Sequence, residues 1–173
     1  VGAYNVSNCL AALTAAIHGL GIDPQVAANG IASLEGISGR MERIEMGQNF
    51  TAIVDFAHTP NALKVALEAG RTLTSKRVIA VFGSAGLRDK EKRRMMAETS
   101  AELADLTVLT AEDPRIESLD GILEEMAAGM RFKGGREGEN FWRERPIPPC
   151  KHLNGLVVFR LADKYVLTHK CYK

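Results

Sequence analysis

Charge of one sign is what this chain most clearly lacks: 22 lysines and arginines stand against 21 aspartates and glutamates in 173 residues, a formal net charge of +1. Proteins whose affinity rests on phosphate backbones carry a basic excess, so nucleic acid is not an expected partner. Cysteine is scarce. Cys9, Cys150 and Cys171 are odd in number and form no C-x-x-C pair, which argues against a disulfide framework and a cysteine zinc site. No apolar run reaches the roughly 18–20 residues that span a bilayer. The longest, residues 9–22, is broken by His18, Gly19 and Gly21 and has no basic segment before it, so neither a membrane span nor a signal peptide is expected. Hydrophobic residues at 46% and charged residues at 25% exclude wholesale disorder. The remaining expectation is a reduced, cytoplasmic, monomeric protein of one domain, or one domain with part of a neighbour.

Periodicity supplies the organisation. Residues 4–20 place Leu10, Leu13, Ala16 and Ile17 at helical spacing, and Asp23-Pro24 opens a second helix with an N-cap and a proline at its first position. From Arg40 the period changes. Ile44 and Met46, then residues 50–56, predict two strands; residues 77–82 (RVIAVF) and 106–110 predict strands buried on both faces. Helices are predicted from Thr59-Pro60, over 91–104 and over 119–131. This alternation predicts an α/β fold, a mostly parallel sheet with helices on both faces. Ligands of such sheets bind beyond the carboxyl ends of the strands, which selects residues 55–61, 83–90 and 111–117. Residues 134–139 are expected to be flexible, and the chain loses clear periodicity after Ile147.

Four constellations could carry chemistry. Asn5 and Asn8 share a helix face and suit a polar ligand, with Asn5 as a helix cap the plainer alternative. Asp55 and His58 follow a strand end, where a carboxylate and an imidazole suit a ribose and a base; turn formation by Asp55 and capping by His58 explain them equally. Residues 83–90 (GSAGLRDK) have the strand–loop–helix form of a phosphate cradle without the Lys-Ser/Thr ending of a P-loop; Arg88 still offers a carboxylate fork. Glu112, Asp113 and Arg115, around Pro114, suit a ligand bearing both ammonium and carboxylate groups, or form an exposed proline turn with a surface ion pair. The run KEKRR at 90–94 is expected to be a solvated face. His18, His152 and His169 have no partners at ligand spacing, so no metal site is assigned.

Order and spacing connect these motifs. YNVSNCLAA from Tyr4, GRME from Gly39, DFAHTP from Asp55, FGSAGLRDK from Phe82 and EDPR ending at Arg115 together resemble the Mur ligase family over about residues 2–146. The resemblance implies a Rossmann-like C-terminal ligase domain over 39–146, preceded at 1–38 by the helical end of a central ATP-binding domain. It implies an ATP-dependent amide ligase that uses Mg2+, held mainly by the central domain, and activates the carboxylate of UDP-MurNAc-L-Ala-D-Glu for attack by a diamino acid. Carried over by position, Asn5, Asn8, Asp55 and His58 lie on the nucleotide, and Arg40 is the hinge arginine that reaches its phosphates. Arg88, Asp113 and Arg115 bind the amino acid. Arg115 favours meso-diaminopimelate, while Asp113, where the family has asparagine, suits the ammonium of lysine or ornithine. Two departures stand out. No Gly-Lys-Thr phosphate loop occurs in the chain, which is expected to be the C-terminal piece of a longer ligase or a non-catalytic remnant. After Arg145-Pro146 the family's Asp-Arg-x-x-Ala-Ile helix and Gly-Lys-Gly-His-Glu loop are not found, so 147–173 is expected to be a frame-shifted or chimeric tail that leaves the sheet without its last strand.

Overall fold

The computed structural model describes residues 3–144 and 156–159. Two compact units follow one another, Val1–Ser38 and Gly39–Lys173.

In the first unit α1 (Ala3–Thr14) widens into a π-helical turn at Ala15–Gly19. The Thr14 hydroxyl donates back to Leu10 O at 2.8 Å just before the ladder widens, a bond that competes with the regular helix. α2 (Pro24–Ala32) begins as its sequence requires, with Asp23 accepting from the Gln25 and Val26 amides and proline at the first position. No described residue of this unit is buried.

The second unit is an α/β fold. Six strands, β1 (Glu42–Ile44), β2 (Ala52–Val54), β3 (Val78–Phe82), β4 (Leu106–Thr110), β5 (Phe141–Glu144) and β6 (Leu156–Phe159), form one sheet of order β1-β2-β6-β3-β4-β5. Only β1 is antiparallel to its neighbour. α3 (Pro60–Leu73), α4 (Lys90–Leu103) and α5 (Leu119–Phe132) connect successive parallel strands. Each starts with a side-chain cap: Thr59 Oγ1, Asp89 Oδ1 and Ser118 Oγ accept from the amides of Ala62, Glu91 and Gly121.

The period-2 alternation of the strands sorts their side chains onto two faces. Ile53, Val78, Ala80, Phe82, Leu109 and Phe141 join the buried stripes of all three helices in one cluster. Ala52, Val54, Ile79, Val81 and Val108 form the second cluster on the opposite face. The described helices of this unit therefore share one face, where helices on both faces were expected; successive right-handed crossovers moving in one direction along a sheet require it. Burying each large aliphatic or aromatic side chain contributes about 1.5–3 kcal/mol.

Two further expectations are corrected. Leu156–Phe159 supplies a strand between β2 and β3, pairing Val157 with Ala52 and with Ile79, so this part of the tail completes the sheet. Four consecutive apolar residues (LVVF) suit the most central position of a parallel sheet; the rest of 147–173 lies outside the described residues. The glycine-rich stretch 134–139 is a folded turn rather than a flexible one. Asn140 Oδ1 accepts the Arg136 amide at 2.7 Å and Gly138 N donates to Phe141 O at 2.9 Å, which leads the chain into β5.

Candidate functional site

Parallel strands end on a common edge, and the loops after β2, β3 and β4 carry the residues singled out above. Adjacent strands are about 4.8 Å apart. With β6 between them, the ends of β2 and β3 stand roughly 10 Å apart along that edge, and β4 follows β3 directly.

At the end of β2, the GRME and DFAHTP motifs meet. Asp55 is half-buried, and its two oxygens accept from Met41 N at 2.8 Å and Ala57 N at 2.9 Å. Phe56 N donates to Gly39 O at 2.8 Å, so the two segments are joined through backbone and carboxylate. The Arg40 guanidinium carbon lies 5.0 Å from the centroid of the Phe56 ring, a cation–π contact. The His58 ring meets Phe56 edge-to-face at 5.1 Å between centroids. Arg40, Phe56 and His58 are exposed, and Thr59, not His58, caps α3. Phe56 was not among the residues selected from sequence; its place between a strand end and a charged loop was the available signal.

The loops after β3 and β4 are in backbone contact. Gly86 N donates to Asp113 O at 2.7 Å. A methyl group on Gly86 would lie 2.0 Å from Pro114 O, and one on Gly83 would lie 2.4 Å from Thr110 O. Glycine is required at both positions by close approach rather than by turn geometry. Arg88 stands exposed on the first loop and makes no hydrogen bond or ion pair among the described residues. On the second, Asp113 Oδ1 accepts the Arg115 amide at 3.2 Å, and its Oδ2 lies 3.7 Å from Arg115 Nε. Asp113 thus faces Arg115.

Beneath both loops lies Arg93, which is 1% exposed. The expectation that 90–94 is a solvated face fails at this residue. Helical periodicity explains it: Arg93, Met96, Ala97 and Ser100 occupy the buried stripe of α4, the i, i+3, i+4, i+7 pattern. Arg93 donates from Nη1 to Glu117 Oε2 at 2.9 Å and Glu125 Oε2 at 2.8 Å, and from Nη2 to Glu117 Oε1 at 2.9 Å and Ala85 O at 3.2 Å. Glu117 also accepts the Leu87 amide. The Arg93 fork and then the Leu87 N–H hold the Glu117 carboxyl down to about 2. A depressed carboxylate pKa adds stability that is fully present above the ordinary value, near 4.5, and is lost as pH falls through about 2. Glu117→Gln should therefore lie below the native chain in melting temperature at neutral pH, with the gap closing as pH falls from about 4.5 toward 2. Parallel melting curves over that range would refute this.

One regularity links the three arginines. Met41, Leu87 and Arg115, at φ 48°, 53° and 51°, are the non-glycine residues in the left-handed region among those described. Each is an arginine or the neighbour of one, and each donates its amide to a carboxylate: Asp55, Glu117 and Asp113 respectively. Such conformations are costly and concentrate where a site over-determines them.

Asn5 and Asn8 belong to the first unit, within α1 and one turn apart; Asn5 is its third residue and not its cap. Among the described residues no cluster of three or more metal-ligating side chains occurs, and no helix is long and apolar enough to cross a membrane.

Comparison with known proteins bears on the family and the fold. Residues 39–143 match the Mur ligase glutamate ligase domain. The chain is 48% identical over 139 residues to a UDP-N-acetylmuramyl-tripeptide synthetase of Roseiflexus sp., covering 80% of this chain and 27% of that protein. It is also 48% identical over 132 residues to a UDP-N-acetylmuramoyl-L-alanyl-D-glutamate–2,6-diaminopimelate ligase of Chlorobaculum tepidum, covering 75% and 26%. Among solved structures, a ligase of the latter description superposes with a TM-score of 0.64 at 30% identity, covering 92% of this chain and 33% of that one. A Mycobacterium tuberculosis folylpolyglutamate synthase, solved with ADP and AMPPCP, shares the fold at a TM-score of 0.70 and 16% identity, covering 93% and 38%. The chain thus spans about a quarter of the length of the curated relatives it matches. Since that family match takes in more than half of its residues, the chain belongs to the Mur ligase family.

Proposed function

We propose that this chain carries the amino-acid-binding half of an ATP-dependent amide ligase that adds a diamino acid to UDP-MurNAc-L-Ala-D-Glu in peptidoglycan synthesis. The observation that carries the reading is the set of three arginines presented at one sheet edge by carboxylate-held, left-handed loop residues. The high identity to ligases whose names specify this chemistry supports it.

Arg88 and Arg115 bind the carboxylates of the incoming diamino acid. A guanidinium matches a carboxylate with two parallel hydrogen bonds. Asp113 orients Arg115 and offers an anion to an ammonium group. Two forks suit the two carboxylates of meso-diaminopimelate better than the single one of lysine or ornithine. The 39–41 and 55–58 segments fit the nucleotide. Phe56 and His58 give an aromatic surface for a base, Asp55 retains lone pairs for a ribose hydroxyl, and Arg40 supplies an exposed cation for phosphate. ATP, with Mg2+ held mainly by a domain outside this chain, supplies the phosphoryl group that activates the acceptor carboxylate. This chain's own contribution is to hold the amine of the diamino acid in the orientation for attack, which is catalysis by positioning.

Titration calorimetry of the chain with meso-diaminopimelate, L-lysine and L-ornithine tests this. Meso-diaminopimelate should bind most tightly. Arg88→Ala and Arg115→Ala should each weaken it about 10–100-fold, the worth of a charge-assisted bond of roughly 1.5–3 kcal/mol. A folded chain that binds none of the three, or variants that bind as the native chain does, would overturn the reading.

A further inference from the structure

The geometry points to Arg93 and Glu117 as positioning residues that set the spacing and aim of the two substrate arginines without touching substrate. This inference rests on the reading of Arg88 and Arg115 as the carboxylate-binding pair.

Arg93 is almost wholly buried, yet its fork reaches both loops. One terminal nitrogen donates to Ala85 O on the Arg88 loop, and both donate to Glu117 on the Arg115 loop. Glu117 returns the connection by accepting the amide of Leu87, the residue before Arg88. Leu87 is left-handed at φ 53°, an unfavourable state for a γ-branched side chain that needs a fixed partner to persist. On its other side Glu117 N donates to Pro114 O at 2.9 Å, one residue from Arg115, and Gly86 N donates to Asp113 O. The two direct hydrogen bonds described between the loops, Gly86 N to Asp113 O and Leu87 N to Glu117, lie within two residues of the exposed arginines. Glu125 on α5 accepts from the same Arg93 nitrogen at 2.8 Å with 37% side-chain exposure. A pair serving only to anchor α4 to α5 would need Glu125 alone.

Neither residue can be exchanged for a near relative without loss. Three donors converge on the two oxygens of Glu117: two from Arg93 and the Leu87 amide. In Glu117→Gln the amide must turn its NH2 group toward one of them. Lysine at 93 lacks the fork that spans Glu117 and Ala85 together.

The test joins calorimetry to amide exchange in the whole chain, with meso-diaminopimelate as probe. Glu117→Gln and Arg93→Lys should each weaken binding at least about fivefold. Exchange at the Gly86 and Leu87 amides should rise about tenfold or more, while amides of β3 stay as protected as in the native chain. Glu117→Asp, which keeps the charge but shortens the reach, serves if the glutamine variant does not fold. Unchanged affinity, or exchange that rises uniformly across β3 and the loops, would overturn a positioning role and leave a purely structural one. A native chain that binds no diaminopimelate would refute the reading of Arg88 and Arg115 first, and this inference with it; a native chain that binds while its variants bind equally well refutes this inference alone.

Discussion

Gly86→Ala is expected to destabilise the chain by about 3 kcal/mol or more, the upper range for forcing extra atoms into a packed site. The reason is distance alone. The new Cβ would lie 2.0 Å from Pro114 O and 2.6 Å from Pro114 C, both backbone atoms, so no side chain can rotate away. Relief requires the 83–89 loop to withdraw, which breaks the 2.7 Å bond from Gly86 N to Asp113 O. At roughly 2–4 °C per kcal/mol for a chain of this size, the melting temperature should fall by about 6–12 °C. Gly121→Ala is the matched control. Its Cβ would meet nothing closer than Ser118 Cβ at 3.6 Å, and alanine in a helix should be neutral or stabilising by up to about 1 kcal/mol. Calorimetric melting of the pair decides the matter: equal transitions for the two variants would show that the loops are not packed as described.

Arg93→Ala has the second large expected effect. Removing one partner of a buried ion pair costs about 3–5 kcal/mol where the other charge stays buried. Glu117 and Glu125 keep 21% and 37% side-chain exposure, so water recovers part of that loss and about 2–4 kcal/mol is expected. After the substitution the cation left beside the two carboxylates among the described residues is Lys90, whose Nζ is 3.3 Å from Glu125 Oε1. Arg94→Ala tests the sequence neighbour. Arg94 is exposed and pairs with exposed Glu91 and half-buried Glu98, and ion pairs open to solvent contribute about 0–1 kcal/mol. Denaturant unfolding of both variants should separate them clearly. A loss at Arg94 equal to that at Arg93 would mean burial is not what distinguishes the two arginines.

The binding reading and the stability predictions meet at the same loops. Gly83, Gly86, Arg93 and Glu117 are held by contacts that span 24–30 residues of chain. Exposed arginines on unsupported loops would lose side-chain and backbone freedom on meeting a carboxylate. Here much of that ordering is already accomplished, which gives the proposed amino-acid site its preorganisation.

Local pattern determined a large part of this protein. The Asp23-Pro24 and Thr59-Pro60 helix starts, the apolar strands at 78–82 and 106–110, and the three strand-end loops all follow from residue chemistry acting over a few positions. The ordered motifs were enough to indicate the family. Tertiary structure decided the rest. The surface-like composition of KEKRR concealed Arg93, although its i, i+3, i+4 relation to Met96 and Ala97 was present in the sequence. Glu117 carried no local signal, because its function as an acceptor depends on Leu87 and Arg93, which lie far away in the chain. The insertion of Leu156–Phe159 between β2 and β3 could not be read either. Strand order is settled by which apolar faces can be buried together, and that is a property of the assembled sheet rather than of any one segment.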